Sequence, residues 1–288
     1  MANLKEIRSR ITSVSSTMQI TSAMKMVSAA KLKKAQDAIT AMRPYADKLT
    51  ELLQNLSSAL EGESGSVYAE QREVNSVLIV PITSNRGLCG GFNANIIKEV
   101  NRLLKNEYAN KEVAFLTLGK KGDDIIKKSN YVIHNNNDVF DDLHFDHVSL
   151  IAERLMALYT EGAYDKIVLV YNHFKNAATQ EVKHEQFLPI AKTVSEEQIN
   201  DNVDYIFEPS KEEIVKTLIP KSLKTQLFKA LRDSFASEHG ARMTAMHKAT
   251  DNATDLRNQL RLTYNKARQA AITGEILEIV GGAEALNG

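Results

Sequence analysis

Residues 75–91 read "NSVLIVPITSNRGLCGG". A short, continuous apolar run bounded by turn residues, here Val77 to Ile82, fits a strand buried on both faces. A glycine-rich turn between such a strand and a helix is where α/β folds hold phosphate. This loop lacks the Lys-Ser/Thr pair that closes a P-loop, and Gly87, Gly90 and Gly91 do not spell G-x-G-x-x-G. Its amides can still face an anion, but no side chain is supplied for a terminal phosphate or Mg²⁺. A structural turn is the preferred reading and a nucleotide site the alternative. Cys89 is a thiol nucleophile only with a histidine beside it; otherwise it is a small buried hydrophobe, which is the reading taken.

Moving outward, "EVAFLTL" (112–118) and "DKIVLVYN" (165–172) repeat the buried-strand pattern. Helical periods fall between them at 94–107, 120–128 and 148–161. That alternation predicts βαβ units and a largely parallel sheet. "HEQFLPI" (184–190) and "DYIFE" (204–208) are weaker strands, expected at an edge. "DDLHFDH" (141–147) gathers Asp141, Asp142, His144, Asp146 and His147, yet the spacing matches no zinc motif. In a polar stretch just before a helix these residues read as turn and cap residues, and no metal is expected.

Further out the period changes. Residues 1–60 hold no glycine and a single proline, Pro44. Leu4, Ile7, Ile11, Val14 and Met18 form an a/d seam, which is expected to shift to Met24, Val27 and Ala30 and run on through Ala38, Met42, Leu49, Leu52 and Leu56. Asn3 with Glu6 suits the helix start, and Pro44 is expected to bend the helix or open its last third. A helix of this length reaches roughly 85 Å at 1.5 Å per residue. After Pro209, Ser210 and Glu213 form a capping box, and the helical period returns, interrupted by Pro220 and Gly240 before Gly274. Its seam is Ala249, Ala253, Leu256, Leu260, Tyr264, Ala267 and Ala271. His239 and His247 lie at no useful ligand spacing and read as surface or partner-facing. Two long amphipathic helices at opposite ends, neither stable alone, bury their stripes against each other. The expected fold is therefore α/β: a long antiparallel coiled coil formed by the N-terminal helix (1–60) and the C-terminal helix (209–288), with a Rossmann-like α/β domain (61–208) inserted between them.

The 288 residues balance 36 basic against 36 acidic side chains, but unevenly along the chain. Residues 1–58 hold 9 Lys+Arg and 4 Asp+Glu (+5), residues 59–208 hold 15 and 23 (−8), and residues 209–288 hold 12 and 9 (+3). The basic ends suit an anionic partner surface. Aromatic residues are scarce and no DNA-reading element is present, so the basic stretch "AAKLKKAQ" (29–36) does not indicate nucleic acid; an acidic protein partner remains open. One cysteine excludes an intrachain disulfide and a Cys-based metal site. No apolar stretch approaches the roughly 20 residues of a membrane span. Arg8, Arg10 and several Ser/Thr faintly suggest a presequence, but Glu6 and the unbroken period speak for mature structure in a reducing compartment. No Ser/His/Asp order, carboxylate pair or cofactor fingerprint stands out. The residues alone describe an α/β domain on a long helical rod.

Read together, the ends resemble a known family. "IRSRITSVSSTMQITSAMKMVSAAKLKKAQ" (7–36) is similar to the N-terminal helix of the gamma subunit of F-type rotary ATP synthases. "ITGEILEIVGGAEA" (272–285) resembles that family's C-terminal signature, with Ile272, Thr273, Glu275, Glu278, Gly282 and Ala283 in place. "YNKARQAAIT" (264–273) and "ASEHGARMTAM" (236–246) resemble its flanking segments, and "SNRGLCGGFN" its glycine loop. The likeness covers the whole chain; the dithiol segment of the chloroplast form and a mitochondrial presequence are both missing, so the bacterial form is expected.

The resemblance implies a central-stalk rotor shaft that performs no bond chemistry and needs no cofactor or metal. Its implied partners are the alpha and beta subunits as an alpha3beta3 hexamer, the epsilon subunit and the membrane c-ring, on the cytoplasmic face of the bacterial inner membrane. By the same likeness Arg268, Gln269, Thr273, Glu275, Glu278, Arg242, Met24 and Lys25 match positions that contact or couple to the beta subunits; at Lys25 some relatives carry Glu. Ile272, Ile276, Ile279 and Val280 match an apolar tip seated in the hexamer's bearing, and Gly281 and Gly282 are expected to soften the final residues. A stand-alone nucleotide-binding α/β protein with helical oligomerisation arms is the alternative, and a coiled-coil scaffold the third reading.

Overall fold

The computed structural model describes residues 4–58, 67–190 and 211–287. Asn3, Ser210 and the edge strand expected at 204–208 lie outside the described residues. Two compact units emerge: Met1–Ser28 with Met243–Gly288, and Ala29–Arg242. Helices α1 (Leu4–Ser58) and α5 (Lys211–Asn287) each contribute to both.

The larger unit is built on a five-stranded sheet of order β3-β2-β1-β4-β5: β1 (Ser76–Pro81), β2 (Glu112–Thr117), β3 (Tyr131–Asn135), β4 (Lys166–Phe174) and β5 (Gln180–Leu188). The first four run parallel and β5 runs antiparallel to β4 at the edge. Side chains alternate across the pleat. Val77 and Ile79 pack with Ile96, Val100 and Leu103 of α2 (Phe92–Asn106) and Ile126 of α3 (Lys120–Ile126). Leu78 and Val80 face the opposite way, onto Ile151, Leu155 and Tyr159 of α4 (Phe145–Thr160) and Leu223, Leu227 and Leu231 of α5. The expected βαβ order is present, with two departures. β3 was not foreseen, because "YVIHN" is half-exposed and Tyr131 is open to solvent. β5 begins earlier than the 184–190 run, since its first residues alternate polar and half-buried on an edge.

In the smaller unit the two helices pair antiparallel. Arg8 Nη2 donates to the Tyr264 hydroxyl at 2.6 Å, Thr254 Oγ1 lies 3.3 Å from Met18 Sδ, and the Thr21 and Thr250 hydroxyls are 2.8 Å apart. Lys25 Nζ meets His247 Nδ1 at 3.5 Å. Each step up one helix is matched by a step down the other, as an antiparallel pair requires.

The seams differ from the sequence reading. On α1 the stripe does not shift at Met24: Thr21 and Ser28 are buried, Val27 is 57% exposed, and the stripe continues through Leu32, Ala35, Ile39, Ala46 and Leu49. The buried residues recur at spacings of three, four or seven, with half-buried Met24 and Met42 inside the longer steps, which holds one face toward a partner; small hydroxyl residues take the places where an apolar residue was sought. On α5 Leu256 points outward while the half-buried Arg257 takes the seam position. Helix α1 runs through Pro44 and α5 through Pro220, so neither proline ends its helix. Helix α5 also continues through Gly281 and Gly282.

Candidate functional site

In an open doubly wound sheet the ligand crevice lies at the carboxyl ends of the strands where the strand order reverses. Here that point is between β1 and β4, and the glycine loop sits at its rim. The loop is tightly self-bonded. Ser84 N donates to Asn93 Oδ1 at 3.0 Å, Ser84 Oγ donates to the Arg86 carbonyl at 2.7 Å, and Asn93 Nδ2 donates to Ser84 Oγ at 2.8 Å. Asn93, in the first turn of α2, thus takes up the Ser84 amide within the loop. Leu88 (φ 63°) and Gly90 (φ 59°) make the left-handed turns that fold the loop back.

Arg242 of α5 reaches into this loop. Its Nη2 donates to the carbonyls of Arg86 (2.9 Å) and Gly87 (3.2 Å), and its Nη1 donates to Glu238 at 2.5 Å. Both side chains are about nine-tenths buried. Burial pushes the Glu238 carboxyl up, while the Arg242 guanidinium pulls it back. The loop therefore offers carbonyl oxygens to a guanidinium, the reverse of the N–H cradle that phosphate needs.

The rest of the crevice is closed by the same helix. Ser237 Oγ donates to the Asn172 carbonyl at 3.0 Å, and His173 Nδ1 meets Asp233 Oδ2 at 2.7 Å. A Cβ on Gly240 would lie 3.1 Å from the Ala177 carbonyl, so the β4–β5 hairpin packs directly on the helix backbone. Sequence reasoning missed Asp233, Ser237 and Glu238; polar residues at one-turn spacing ending at a glycine were the available signal. It also read His239 as surface or partner-facing. His239 is instead 5% exposed beside the Phe235 ring, with no hydrogen-bond partner, and burial pulls its pKa down to about 3.

Cys89 is buried, its thiol pushed up by desolvation, with Ser84 and Asn93 as its side-chain neighbours. Within the 141–147 cluster, Asp142 lies 2.9 Å from His144 Nε2 and 3.8 Å from His147 Nδ1, all exposed. Asp142 and His147 line an open cleft of about 410 Å³ with Asn136, Asp138, Ile151 and Arg154. Among the described residues no group of three or more His, Cys, Asp or Glu is placed to hold a metal. Nor is any described helix long and apolar enough to cross a membrane.

The remaining residues singled out in the sequence fall in the smaller unit. Arg268, Gln269, Thr273, Glu275 and Glu278 are exposed on α5, and Thr273 Oγ1 bonds back to the Gln269 carbonyl at 2.9 Å. Ile272, Ile276, Ile279 and Val280 are exposed at 48%, 54%, 71% and 54%. Met24 and Lys25 are half-buried. Only Arg242 stands apart from this set, in the larger unit.

An α/β sheet inserted between two helices that pair antiparallel, with its ligand crevice closed by one of them, defines a helix-borne α/β protein with its loop turned to internal packing. The ATP synthase family matches residues 3–286, and the chain belongs to that family. It is 70% identical to the ATP synthase gamma chain of Christiangramia forsetii and 71% identical to that of Flavobacterium johnsoniae, over the full length of both partners each time. Among solved structures it resembles a chain of the Tetrahymena thermophila mitochondrial ATP synthase central stalk and c-ring, at 31% identity and TM-score 0.61, covering 80% of this chain and 99% of that one. A chain of the Euglena gracilis mitochondrial ATP synthase shares the fold at TM-score 0.74 and 24% identity, with 98% and 94% covered.

Proposed function

We propose that this chain is the central-stalk shaft of a bacterial rotary ATP synthase, coupling proton-driven rotation to ATP synthesis and hydrolysis at beta-subunit sites without performing bond chemistry itself. The observation that carries the reading is full-length identity of about seven residues in ten to gamma chains. The loop's internal bonding supports it: carbonyls committed to the Arg242 guanidinium present the wrong polarity to a phosphate. A single asymmetric rod inside a ring of three alpha and three beta subunits presents a different face to each site, biasing each toward a different conformation. The epsilon subunit and the membrane c-ring complete the rotor, and the chain works as a peripheral protein at the cytoplasmic face of the inner membrane.

Exposed Arg268, Gln269, Thr273, Glu275 and Glu278, with Met24 and Lys25, are the proposed coupling contacts. The exposed Ile272, Ile276, Ile279 and Val280 are the proposed bearing surface, since an apolar patch of this kind calls for a partner. Arg242, buried, would act through the loop it holds and not by direct touch. The test is ATP hydrolysis by purified alpha and beta subunits with and without this chain. Activity and a stable complex only in its presence, with none from the chain alone, are expected. Turnover by the chain alone would return the glycine loop to the status of an active site.

A further inference from the structure

Asp233 is the most buried charged side chain of α5 among the described residues, 1% exposed, and among them His173 of β4 hydrogen-bonds its carboxylate. Its second oxygen, Oδ1, has no hydrogen-bond partner. An uncompensated carboxylate in such a place is costly, and a shared proton removes most of that cost. The position is mechanical as well. Asp233, Ser237 and Gly240 lie on one face of α5 and hold, in order, His173, the Asn172 carbonyl and Ala177. These are the contacts that seat the β4–β5 hairpin on the helix.

We propose that His173 and Asp233 form a proton-sensitive lock that fixes the β4–β5 hairpin to α5. With the proton on the Asp233 carboxyl the buried group carries no charge. After that proton leaves, a full negative charge stays buried, with Oδ2 against His173 and Oδ1 bare. The hairpin then loosens. The surrounding charges moderate this without replacing the proton. Arg43 of α1 and Lys229 of α5 favour the anion from a distance, and the Tyr171 hydroxyl of β4 donates elsewhere, to Glu185. Glu181 of β5, opposite His173 in the sheet, pairs with Lys175. Burial pushes the Asp233 carboxyl up, with His173 pulling it back. A raised carboxyl contributes stability at low pH that is lost as pH climbs above the ordinary carboxylate range. The lock is therefore tight in acid and slack in alkali. On the shaft reading above, it would fix the sheet to the helix that transmits torque.

The test is the thermal midpoint of the full chain against pH for the wild type, Asp233→Asn and His173→Gln. The wild type should lose about 3 °C through this pair as pH rises from about 4, the ordinary carboxylate value, through the raised value of Asp233. Asp233→Asn, which cannot ionise, should remove that slope. His173→Gln keeps a donor but removes the partner that pulls the Asp233 carboxyl back, so its slope should persist and move to higher pH. If both variants track the wild-type slope, the lock is wrong. This readout does not depend on the shaft reading. The second readout is protons pumped per ATP hydrolysed by the complete complex in vesicles. A wild-type ratio that declines as pH rises through the same window as the thermal midpoint, and a flat one for Asp233→Asn, supports the lock's use in coupling. Failure of the wild-type chain to support any pumping would instead overturn the shaft reading.

Discussion

Helix α5 leads two lives along one unbroken run. Between Ile219 and Arg242 it is enclosed: Leu227, Leu231, Ala236 and Ser237 are at 0% exposure, and buried charges are answered by β4 and the glycine loop. From Met243 onward one stripe is covered, and past Leu260 every side chain described is half-buried or exposed. The first stretch derives its stability from apolar area, at about 25 cal/mol per Å². The second has little to bury and is held by hydroxyl pairs and a cation–π contact between Arg8 and Tyr264. Stability is concentrated in one part, and the surface left for partners in the other.

Substitutions should separate the two. The largest effect is expected at Gly119, whose φ of 102° suits glycine and where a Cβ would lie 2.0 Å from the Thr83 carbonyl oxygen. Gly119→Ala should cost about 4 kcal/mol or more and leave little folded protein, measured as soluble yield and urea midpoint. Leu227→Ala, in the enclosed stretch, should cost about 3 kcal/mol in the same titration. An equally large loss from Ile276→Ala in the open stretch would erase the contrast.

His239 sharpens the comparison through pH. Its folded-state pKa of about 3 lies below the ordinary histidine value, so the folded protein binds fewer protons than the unfolded chain. That contribution is complete above about pH 6.5 and is lost progressively as pH falls toward 3. His239→Leu should flatten this acid limb and, by removing unsatisfied nitrogens, raise neutral-pH stability by about 1 kcal/mol. An unchanged acid limb would show that another group titrates. In the open stretch, a Thr21→Val and Thr250→Val double-mutant cycle should return a coupling energy of about 0.5–1 kcal/mol. Arg268→Ala should change the unfolding midpoint least of all while reducing ATP-driven pumping in the assembled complex. Normal pumping would remove Arg268 from the coupling set.

What the sequence made legible follows from the same physics. Strands β1, β2 and β4 are buried on both faces, so their Val, Ile and Leu runs announce them. β3 and β5 are edges, half-exposed and polar on alternate residues, and such patterns merge with turns. Leu4 to Met18 revealed the first seam, but Thr21 and Ser28 hid its continuation, because close helix packing selects small residues and not apolar ones. The missing lysine set the glycine loop apart from a P-loop; that it serves a guanidinium 155 residues away along the chain could not be read from spacing. The buried Asp233, Glu238 and His239 look like surface residues of a charged helix until the sheet is folded against them.

Rotation is the most direct measurement of the shaft role. A bead fixed to the insert domain of this chain, with the alpha–beta hexamer held on a surface, should turn in one direction while ATP is supplied and stop when it is withdrawn. Sustained ATP hydrolysis with a stationary bead would contradict the role of this chain as the shaft.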